Sequence, residues 1–192
     1  MSVKRVFVDR KVYQTFLWKV VEATGKMVAG DPASEATEVG PLIRLADAER
    51  VDSWIKEAVE SGAKLVAGGQ RHGSMVAPAI LTGTKPGMKV RDEEVFGPVV
   101  AIEPYDDFEQ ALADVNHSKY GLQAGLLTRD AGLILTAYRE LEVGALIVGD
   151  TPSWRLDSMP FGGVKDSGLG REGIHSAIEE MTEPRMLVIA GL

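Results

Sequence analysis

The sequence predicts an α/β fold with a mostly parallel sheet and helices on both faces. Short apolar runs typical of strands alternate with stretches of about 10 to 15 residues in which apolar side chains recur at helical spacing. Strands joined by helices of that length form parallel sheets that are covered on both sides. At 192 residues the chain can bury a core, and no repeat or low-complexity linker divides it. We therefore expect one domain over residues 1–192.

The individual elements follow from apolar spacing and from capping residues. The predicted strands are the apolar or β-branched segments 3–8, 64–67, 77–81, 99–103, 122–128, 145–148 and 184–190, of which 145–148 is expected to be buried. The predicted helices are the amphipathic segments 10–25, 46–60, 108–116, 130–141 and 173–181. Asp9 and the pair Asp106-Asp107 suit N-caps, and Gly62 ends the second helix. Residues 29–41, rich in Gly, Pro, Ser and acidic residues, predict a loop.

The composition excludes several classes of function. A net charge of −7 provides no basic surface for nucleic acid or for an anionic membrane. No apolar run approaches the roughly 20 residues that span a bilayer, and residues 1–5 are not followed by the apolar region of a signal peptide. The chain has no cysteine, and its three histidines lack metal-ligand spacing. We expect a cytoplasmic protein without a bound metal.

Two short motifs resemble functional signatures but lack the necessary context. Residues 168–173 fit the dinucleotide pattern G-x-G-x-x-G, yet they follow a polar turn and precede too little chain for a βαβ unit. Residues 53–56 fit S-x-x-K, a serine-lysine nucleophile pattern. They lie inside a predicted amphipathic helix whose apolar positions serve packing. We assign neither motif a catalytic or phosphate-binding role.

Residues 93–98, Glu-Glu-Val-Phe-Gly-Pro, form the first of two runs whose side chains could bind a ligand. Side chains alternate along extended backbone, so Glu94 and Phe96 share a face while Glu93 points away. A carboxylate accepts hydrogen bonds from neighbouring hydroxyl groups, and an aromatic ring offers an apolar wall to a flat ligand. The alternative is a solvated glutamate beside a core phenylalanine, which the chemistry of these residues alone favours.

Residues 159–172 form the second run, and four of them between 162 and 170 are glycines. Glycine at this density indicates close backbone approach or unusual φ angles. Phe161 follows a stiff Pro160 and could form the wall of a pocket, while Lys165 and Arg171 could hold the loop through carboxylates or carbonyls. A purely structural loop is an equally good interpretation of these residues.

Both runs resemble the late half of NAD(P)-dependent aldehyde dehydrogenases, and other segments in the same order resemble it too. These segments are Val6-Phe7-Val8, Gly30-Asp31-Pro32, residues 39–43, Tyr120-Gly121-Leu122 and Glu183. The resemblance implies the family's catalytic-domain fold, with residues 184–192 forming a strand that joins an oligomerisation sheet. An edge strand of the chain's own sheet is the alternative for that segment.

The resemblance also implies roles for individual residues. The residue matching Glu94 holds the nicotinamide ribose of NAD or NADP, the one matching Phe96 packs near the nicotinamide, and the one matching Phe161 lines the aldehyde tunnel. The family works through a cysteine thiolate, an oxyanion-binding asparagine and a glutamate general base. By the family's spacing, all three lie upstream of Met1. We therefore assign no catalytic residue within this chain.

Trp154 and Arg155 are candidates for contact with the substrate. They precede Phe161, where the family places substrate-contacting residues. Arg155 could select an anionic aldehyde through a bidentate contact. The alternative, favoured by the surface preference of arginine, is a loop-stabilising pair with Asp150 or Asp157. The chain also departs from the family at Gly149-Asp150, where asparagine is typical, which puts the local loop geometry in question.

Three functions are consistent with these observations to different degrees. The first is a catalytic-domain portion of an aldehyde dehydrogenase, inactive alone, whose partner is a missing N-terminal half or a further copy. The second is a non-catalytic module of the same fold that oligomerises or regulates a partner, and the third is a dehydrogenase of another class. The retention of Glu94, Phe96 and Phe161 favours the first, because a non-catalytic module needs no contact to a nicotinamide ribose.

Overall fold

A four-stranded sheet lies at the centre of residues 2–111, which form one of two compact units in the computed structural model of residues 2–191. The elements of this unit are β1 (Arg5–Asp9), α1 (Arg10–Gly25), α2 (Leu45–Glu60), β2 (Lys64–Ala67), β3 (Arg71–His72), β4 (Met75–Val76), β5 (Ala79–Thr82), α3 (Lys89–Asp92) and β6 (Val99–Tyr105). The strand order is β1-β6-β5-β2; the first two pairings are parallel and β2 is antiparallel. The predicted mostly parallel α/β sheet is confirmed.

The two faces of this sheet bury different helices. Ile80 and Leu81 are neighbours on β5 and therefore point to opposite faces. Ile80 packs in a cluster with the α1 residue Tyr13, whereas Leu81 packs in a cluster with the α2 residue Ile55. All four side chains are buried. Helices on both faces are therefore confirmed for this unit.

Helix α1 begins where the sequence predicts. The Asp9 carboxylate accepts a hydrogen bond from the Lys11 backbone N–H at 2.8 Å, which satisfies one of the free donors at the helix start. The next residue, Arg10, donates from Nε and Nη2 to the two carboxylate oxygens of Asp106 at 2.5 and 2.7 Å. This bidentate hydrogen bonding lowers the pKa of Asp106. It ties the start of α1 to the end of β6.

The second compact unit comprises residues 112–191 and is described separately. Its elements are the end of α4 (Phe108–Asn116), β7 (Tyr120–Gly121), β8 (Gln123–Leu126), α5 (Ala131–Glu140), β9 (Ala145–Val148), β10 (Val164–Lys165) and α6 (Ile174–Met181). Strands β8 and β9 pair in parallel, while β7 and β10 form a short antiparallel pair. The Asp130 carboxylate caps α5 by accepting from the Gly132 N–H at 2.7 Å. One domain over residues 1–192 stays a prediction.

Three details differ from the sequence prediction. The two-residue strands β3, β4, β7 and β10 were not foreseen, because pairs this short carry no periodic signal. Strand β9 is less buried than expected, since only Ile147 is buried and Val148 is exposed. The segment 184–190 is exposed and pairs with no strand among residues 2–191, so the expectation of an edge strand of its own sheet is wrong. Addition of 184–192 to a neighbour's sheet stays a prediction.

Two predictions concern the chain as a whole. None of the helices among the described residues is long and apolar enough to cross a membrane. A cytoplasmic location stays a prediction. Residues 2–191 also contain no group of three or more histidine and acidic side chains placed to hold a metal ion.

Candidate functional site

The segment that links α3 to β6 presents Glu94 and Phe96 on its exposed side. Glu94 is exposed, Phe96 is 73% exposed, and Val95 between them is 4% exposed and packs in the core below α2. The exposed side chains thus flank a buried one. The alternative of Phe96 as a core residue is wrong, because its ring faces outward. An exposed carboxylate and an exposed ring on one segment suit a polar ligand that carries a flat group.

The backbone at Phe96 is held in an uncommon conformation. Its φ angle is +47°, in the left-handed region that bulky residues rarely adopt without support from their surroundings. Support comes from α2, where Arg50 donates from Nη2 to the Val95 carbonyl at 2.8 Å. The Arg50 guanidinium also lies 4.7 Å from the Trp54 ring centroid, which fixes its position.

Helix α2 also contacts the turn after Phe96. A Cβ atom at Gly97 would lie only 2.8 Å from Cγ2 of the buried Val51, so this turn packs directly on the helix. The backbone on both sides of Phe96 is thus fixed by α2. Glu94 and Phe96 are presented by a rigid segment, as a binding site for a defined ligand requires.

Lys4 adds a titratable charge near this segment. Partial burial, together with the neighbouring positive charge of Arg5, lowers the pKa of Lys4 to about 8. The carboxylates of Asp92, Glu93 and Glu94 act in the opposite direction and only partly offset the burial. Lys4 therefore loses its charge within a pH range in which an ordinary lysine stays protonated.

We expect the free energy of unfolding to rise with pH between about pH 8 and pH 10 because of Lys4. In this window the unfolded chain, with Lys4 at its ordinary pKa of 10.5, binds more protons than the folded chain. Below about pH 8 both states are protonated and the contribution is constant. Urea unfolding at pH 8 and pH 9.5 measures the slope, and Lys4→Met should reduce it.

Exposed Lys19 provides the matched control, since Lys19→Met should leave the slope unchanged. Buried Tyr13 opposes the trend at higher pH, because burial raises its pKa and the folded state then retains that proton. The measurement therefore stays below pH 10. An identical slope in Lys4→Met and in the unmodified chain would contradict the assignment to Lys4.

In the second unit, the loop of residues 159–172 is closed by backbone pairing at its ends. Phe161 donates from N–H to the Glu172 carbonyl at 2.9 Å, and Glu172 donates from N–H to the Phe161 carbonyl at 2.6 Å. Arg171 reaches inside the loop and donates from Nη1 to the carbonyls of Gly163 and Gly170 at 3.0 and 2.7 Å. The expected anchoring by Arg171 is confirmed. Phe161 is half-buried on this closed loop.

Lys165 anchors the same loop from outside. Its Nζ atom donates to the Asn116 and Ser118 carbonyls at 2.8 and 3.2 Å and pairs with the Glu142 carboxylate at 2.5 Å. This anchoring was also predicted. Glycine matters where the loop meets the chain before β9, because a Cβ atom at Gly144 would overlap the Gly162 carbonyl oxygen.

Arg155 lies against Phe161. Its guanidinium carbon is 4.1 Å from the Phe161 ring centroid, a cation–π contact. Its Nη2 atom is 3.1 Å from Oε2 of Glu172. The alternative pairing of Arg155 with Asp150 or Asp157 is wrong, since the carboxylate partner is Glu172. The structure therefore groups Arg155, Phe161 and Glu172, while Trp154 lies next to Arg155 in sequence and is 41% exposed.

Asp150 belongs to Gly149-Asp150, the pair at which the chain departs from the resembled family, and it forms a local turn. Its carboxylate accepts from the Thr151 N–H at 2.6 Å, and Gly149 before it has a φ angle of +87°. Asparagine could accept the same hydrogen bond. The departure is therefore compatible with a normal turn after β9.

Sequence reasoning missed Arg50 and Glu172. Each acts across 17 or more positions, Arg50 on the Val95 carbonyl and Glu172 on the Arg155 guanidinium. No local pattern marks such a pair. The placement of Glu172 in the run 159–172 was the only available signal, whereas Arg50 lies on an ordinary amphipathic helix. In the rejected motif of residues 53–56, the Ser53 hydroxyl donates to the Arg50 carbonyl at 2.8 Å.

The exposed groups fit a nicotinamide dinucleotide in their chemistry. A carboxylate such as that of Glu94 accepts two hydrogen bonds, as a ribose diol requires. The Phe96 ring offers an apolar surface next to it. Comparison with known proteins identifies the family to which this α/β chain belongs.

The chain belongs to the aldehyde dehydrogenase family, whose sequence model matches residues 1–187. It is 52% identical over 189 residues to 3-sulfolactaldehyde dehydrogenase from Priestia aryabhattai, covering 98% of this chain and 40% of that protein. It is 44% identical to lactaldehyde dehydrogenase from Methanococcus vannielii, with the same coverage. Sulfoacetaldehyde dehydrogenase from Neptuniibacter caesariensis is 40% identical, covering 98% of this chain and 41% of that protein.

Solved structures agree in fold. Aldehyde dehydrogenase 21 from Physcomitrella patens, in complex with the reaction product succinate, superposes with a TM-score of 0.91 at 39% identity, covering 93% of this chain and 37% of that one. Glyceraldehyde-3-phosphate dehydrogenase GapN from Methanocaldococcus jannaschii, complexed with NADP, gives 0.89 at 36% identity, covering 94% and 39%. The chain thus spans about 40% of the length of the curated relatives.

Proposed function

We propose that this chain forms the part of an NAD(P)-dependent aldehyde dehydrogenase that contacts the nicotinamide ribose and the aldehyde. The exposed, rigidly held pair of Glu94 and Phe96 carries this proposal. The chain contains no cysteine, so the nucleophile would come from the part of the enzyme that this chain does not cover. The same polypeptide or a partner chain could supply that part, and in either case we call the assembly the complete enzyme.

The cofactor and the chain have separate tasks in this proposal. When bound, NAD(P)⁺ supplies the acceptor for the hydride that leaves the aldehyde carbon. Glu94 accepts hydrogen bonds from the ribose hydroxyls, and Phe96 walls the nicotinamide side. Arg50 positions both through the Val95 carbonyl, at 2.8 Å. Their rigidity limits the freedom that is lost on binding.

We further propose that the aldehyde carries an anionic group which Arg155 contacts. Arginine presents a planar set of donors that matches carboxylate and sulfonate oxygens. The Arg155 guanidinium lies on Phe161, the residue that the family places in the aldehyde tunnel. Among the relatives, two are named for 3-sulfolactaldehyde and one for sulfoacetaldehyde. A fold neighbour is complexed with succinate, also an anion.

Formation of NADH or NADPH with 3-sulfolactaldehyde and with lactaldehyde tests both proposals, because the two aldehydes differ by the sulfonate. We expect turnover by the complete enzyme and none by this chain alone. Arg155→Gln should lower kcat/KM for 3-sulfolactaldehyde by about 10- to 100-fold, since a hydrogen bond to a charged group contributes roughly 1.5–3 kcal/mol. The value for lactaldehyde should change much less.

Arg129→Gln removes an exposed arginine elsewhere in the same unit and should leave both values unchanged. Turnover by this chain alone would refute the need for a nucleophile from elsewhere. Equal losses for both aldehydes in Arg155→Gln would refute the anion contact but would leave the family reaction intact.

A further inference from the structure

The cation that would meet an anionic aldehyde already has a carboxylate partner. Nη2 of Arg155 lies 3.1 Å from Oε2 of Glu172. The backbone of Glu172 is held next to Phe161 by two hydrogen bonds of 2.9 and 2.6 Å, which keeps the carboxylate within reach of Arg155. Phe161 in turn lies under the Arg155 guanidinium at 4.1 Å. The backbone of Phe161 and Glu172 therefore places the ring and the carboxylate next to the same arginine.

The ion pair itself is open to competition. The Arg155 side chain is 34% exposed and the Glu172 side chain 68% exposed, so water reaches both charges. An exposed pair of this kind is held weakly, in part because solvent and salt screen it. Arginine has five N–H donors, and its hydrogen bond to Glu172 involves a single nitrogen. A sulfonate or carboxylate of a substrate could therefore replace Glu172 on the guanidinium.

We propose that Glu172 is a specificity-determining residue that competes with the anionic group of the substrate for Arg155. In the absence of substrate, its carboxylate holds the guanidinium on Phe161. When the aldehyde binds, the substrate anion takes the place of the Glu172 carboxylate, which turns into solvent. This inference rests on the proposed contact between Arg155 and an anionic aldehyde, and it makes Glu172 the residue that limits the preference for anionic over neutral aldehydes.

The substitution Glu172→Gln tests the charge of this side chain, because it removes the charge and keeps the size of the side chain. The glutamine side-chain oxygen can still accept the hydrogen bond from Arg155, but it carries no charge to compete with the substrate. The cation–π contact with Phe161 also remains available to hold the guanidinium. Glu172→Gln should therefore favour the anionic aldehyde, whereas a purely structural role for Glu172 predicts parallel losses for every substrate.

The test compares kcat/KM for 3-sulfolactaldehyde with kcat/KM for lactaldehyde in the complete enzyme. We expect Glu172→Gln to raise this ratio by about two- to fivefold, an effect of the size that exposed charge pairs produce. Most of the change should lie in KM for 3-sulfolactaldehyde. Glu179→Gln is the matched control, because Glu179 is an exposed glutamate of the same unit whose carboxylate faces His175. It reports the effect of removing one negative charge at a distance from Arg155.

A double mutant decides whether Glu172 acts through Arg155. In the Arg155→Gln background, Glu172→Gln should no longer raise the ratio, because the guanidinium for which Glu172 and the substrate anion compete is absent. A rise of equal size in both backgrounds, or a rise no larger than that of Glu179→Gln, would overturn the proposal. A ratio that falls in Glu172→Gln would overturn it as well.

The outcomes also separate this inference from the proposed function on which it rests. If Arg155→Gln lowers the ratio while Glu172→Gln leaves it unchanged, only the role of Glu172 fails. If Arg155→Gln leaves the ratio unchanged, the anion contact fails and the role of Glu172 fails with it.

Discussion

Glu94→Gln is expected to lower kcat/KM for NAD(P)⁺ by about 10- to 100-fold in the complete enzyme. The substitution keeps the shape of the side chain but removes the negative charge that strengthens its hydrogen bonds to ribose hydroxyls. Hydrogen bonds to charged groups contribute about 1.5–3 kcal/mol, and about 1.4 kcal/mol corresponds to a factor of ten. Kinetics at varied NAD⁺ and NADP⁺ with saturating aldehyde measure the effect.

Glu93 provides the control because it is the neighbouring glutamate and is half-buried, whereas Glu94 is exposed. Glu93→Gln should change kcat/KM for the cofactor far less than Glu94→Gln does. The melting temperature should stay nearly constant in Glu94→Gln, since the Glu94 side chain is exposed. Equal effects of the two substitutions on cofactor kinetics would show that Glu94 does not contact the ribose.

Gly144→Ala is expected to lower the free energy of unfolding by about 3 kcal/mol. The added Cβ atom would overlap the Gly162 carbonyl oxygen and come within 3.0 Å of the Leu122 carbonyl oxygen. Both are backbone atoms, which cannot rotate away as a flexible side chain would. Overpacking of this kind costs about 1–3 kcal/mol and sometimes more. Urea unfolding followed by circular dichroism measures the loss.

The same substitution should disturb the loop that carries Phe161, because Gly162 is the next residue. In the complete enzyme, KM for the aldehyde should rise more than KM for NAD(P)⁺. Gly25→Ala is the control: no atom lies within 4 Å of its added Cβ and its φ angle is not positive, so stability should change by less than about 1 kcal/mol. A Gly144→Ala variant as stable as Gly25→Ala would contradict the close approach.

Much of the fold could be predicted because its signals are local. Helix α1 begins after Asp9, since a side chain two residues away can satisfy a backbone donor at the helix start. The exposure of Glu94 next to a buried Val95 follows from the alternation of side chains along the chain. Helices on both faces of the sheet followed from the alternation of strand and helix patterns.

The sequence by itself therefore determined the α/β class, most of the elements and the chemistry of the residues at the candidate site. The tertiary structure alone decided which groups meet: Arg50 with the Val95 carbonyl, Glu172 with Arg155, and the left-handed backbone of Phe96. It also decided that residues 184–190 form no strand within this chain. The physical reason is the same in each case. A strand, an ion pair or a strained φ angle exists only when a partner distant in sequence supplies the hydrogen bond, charge or packing that supports it.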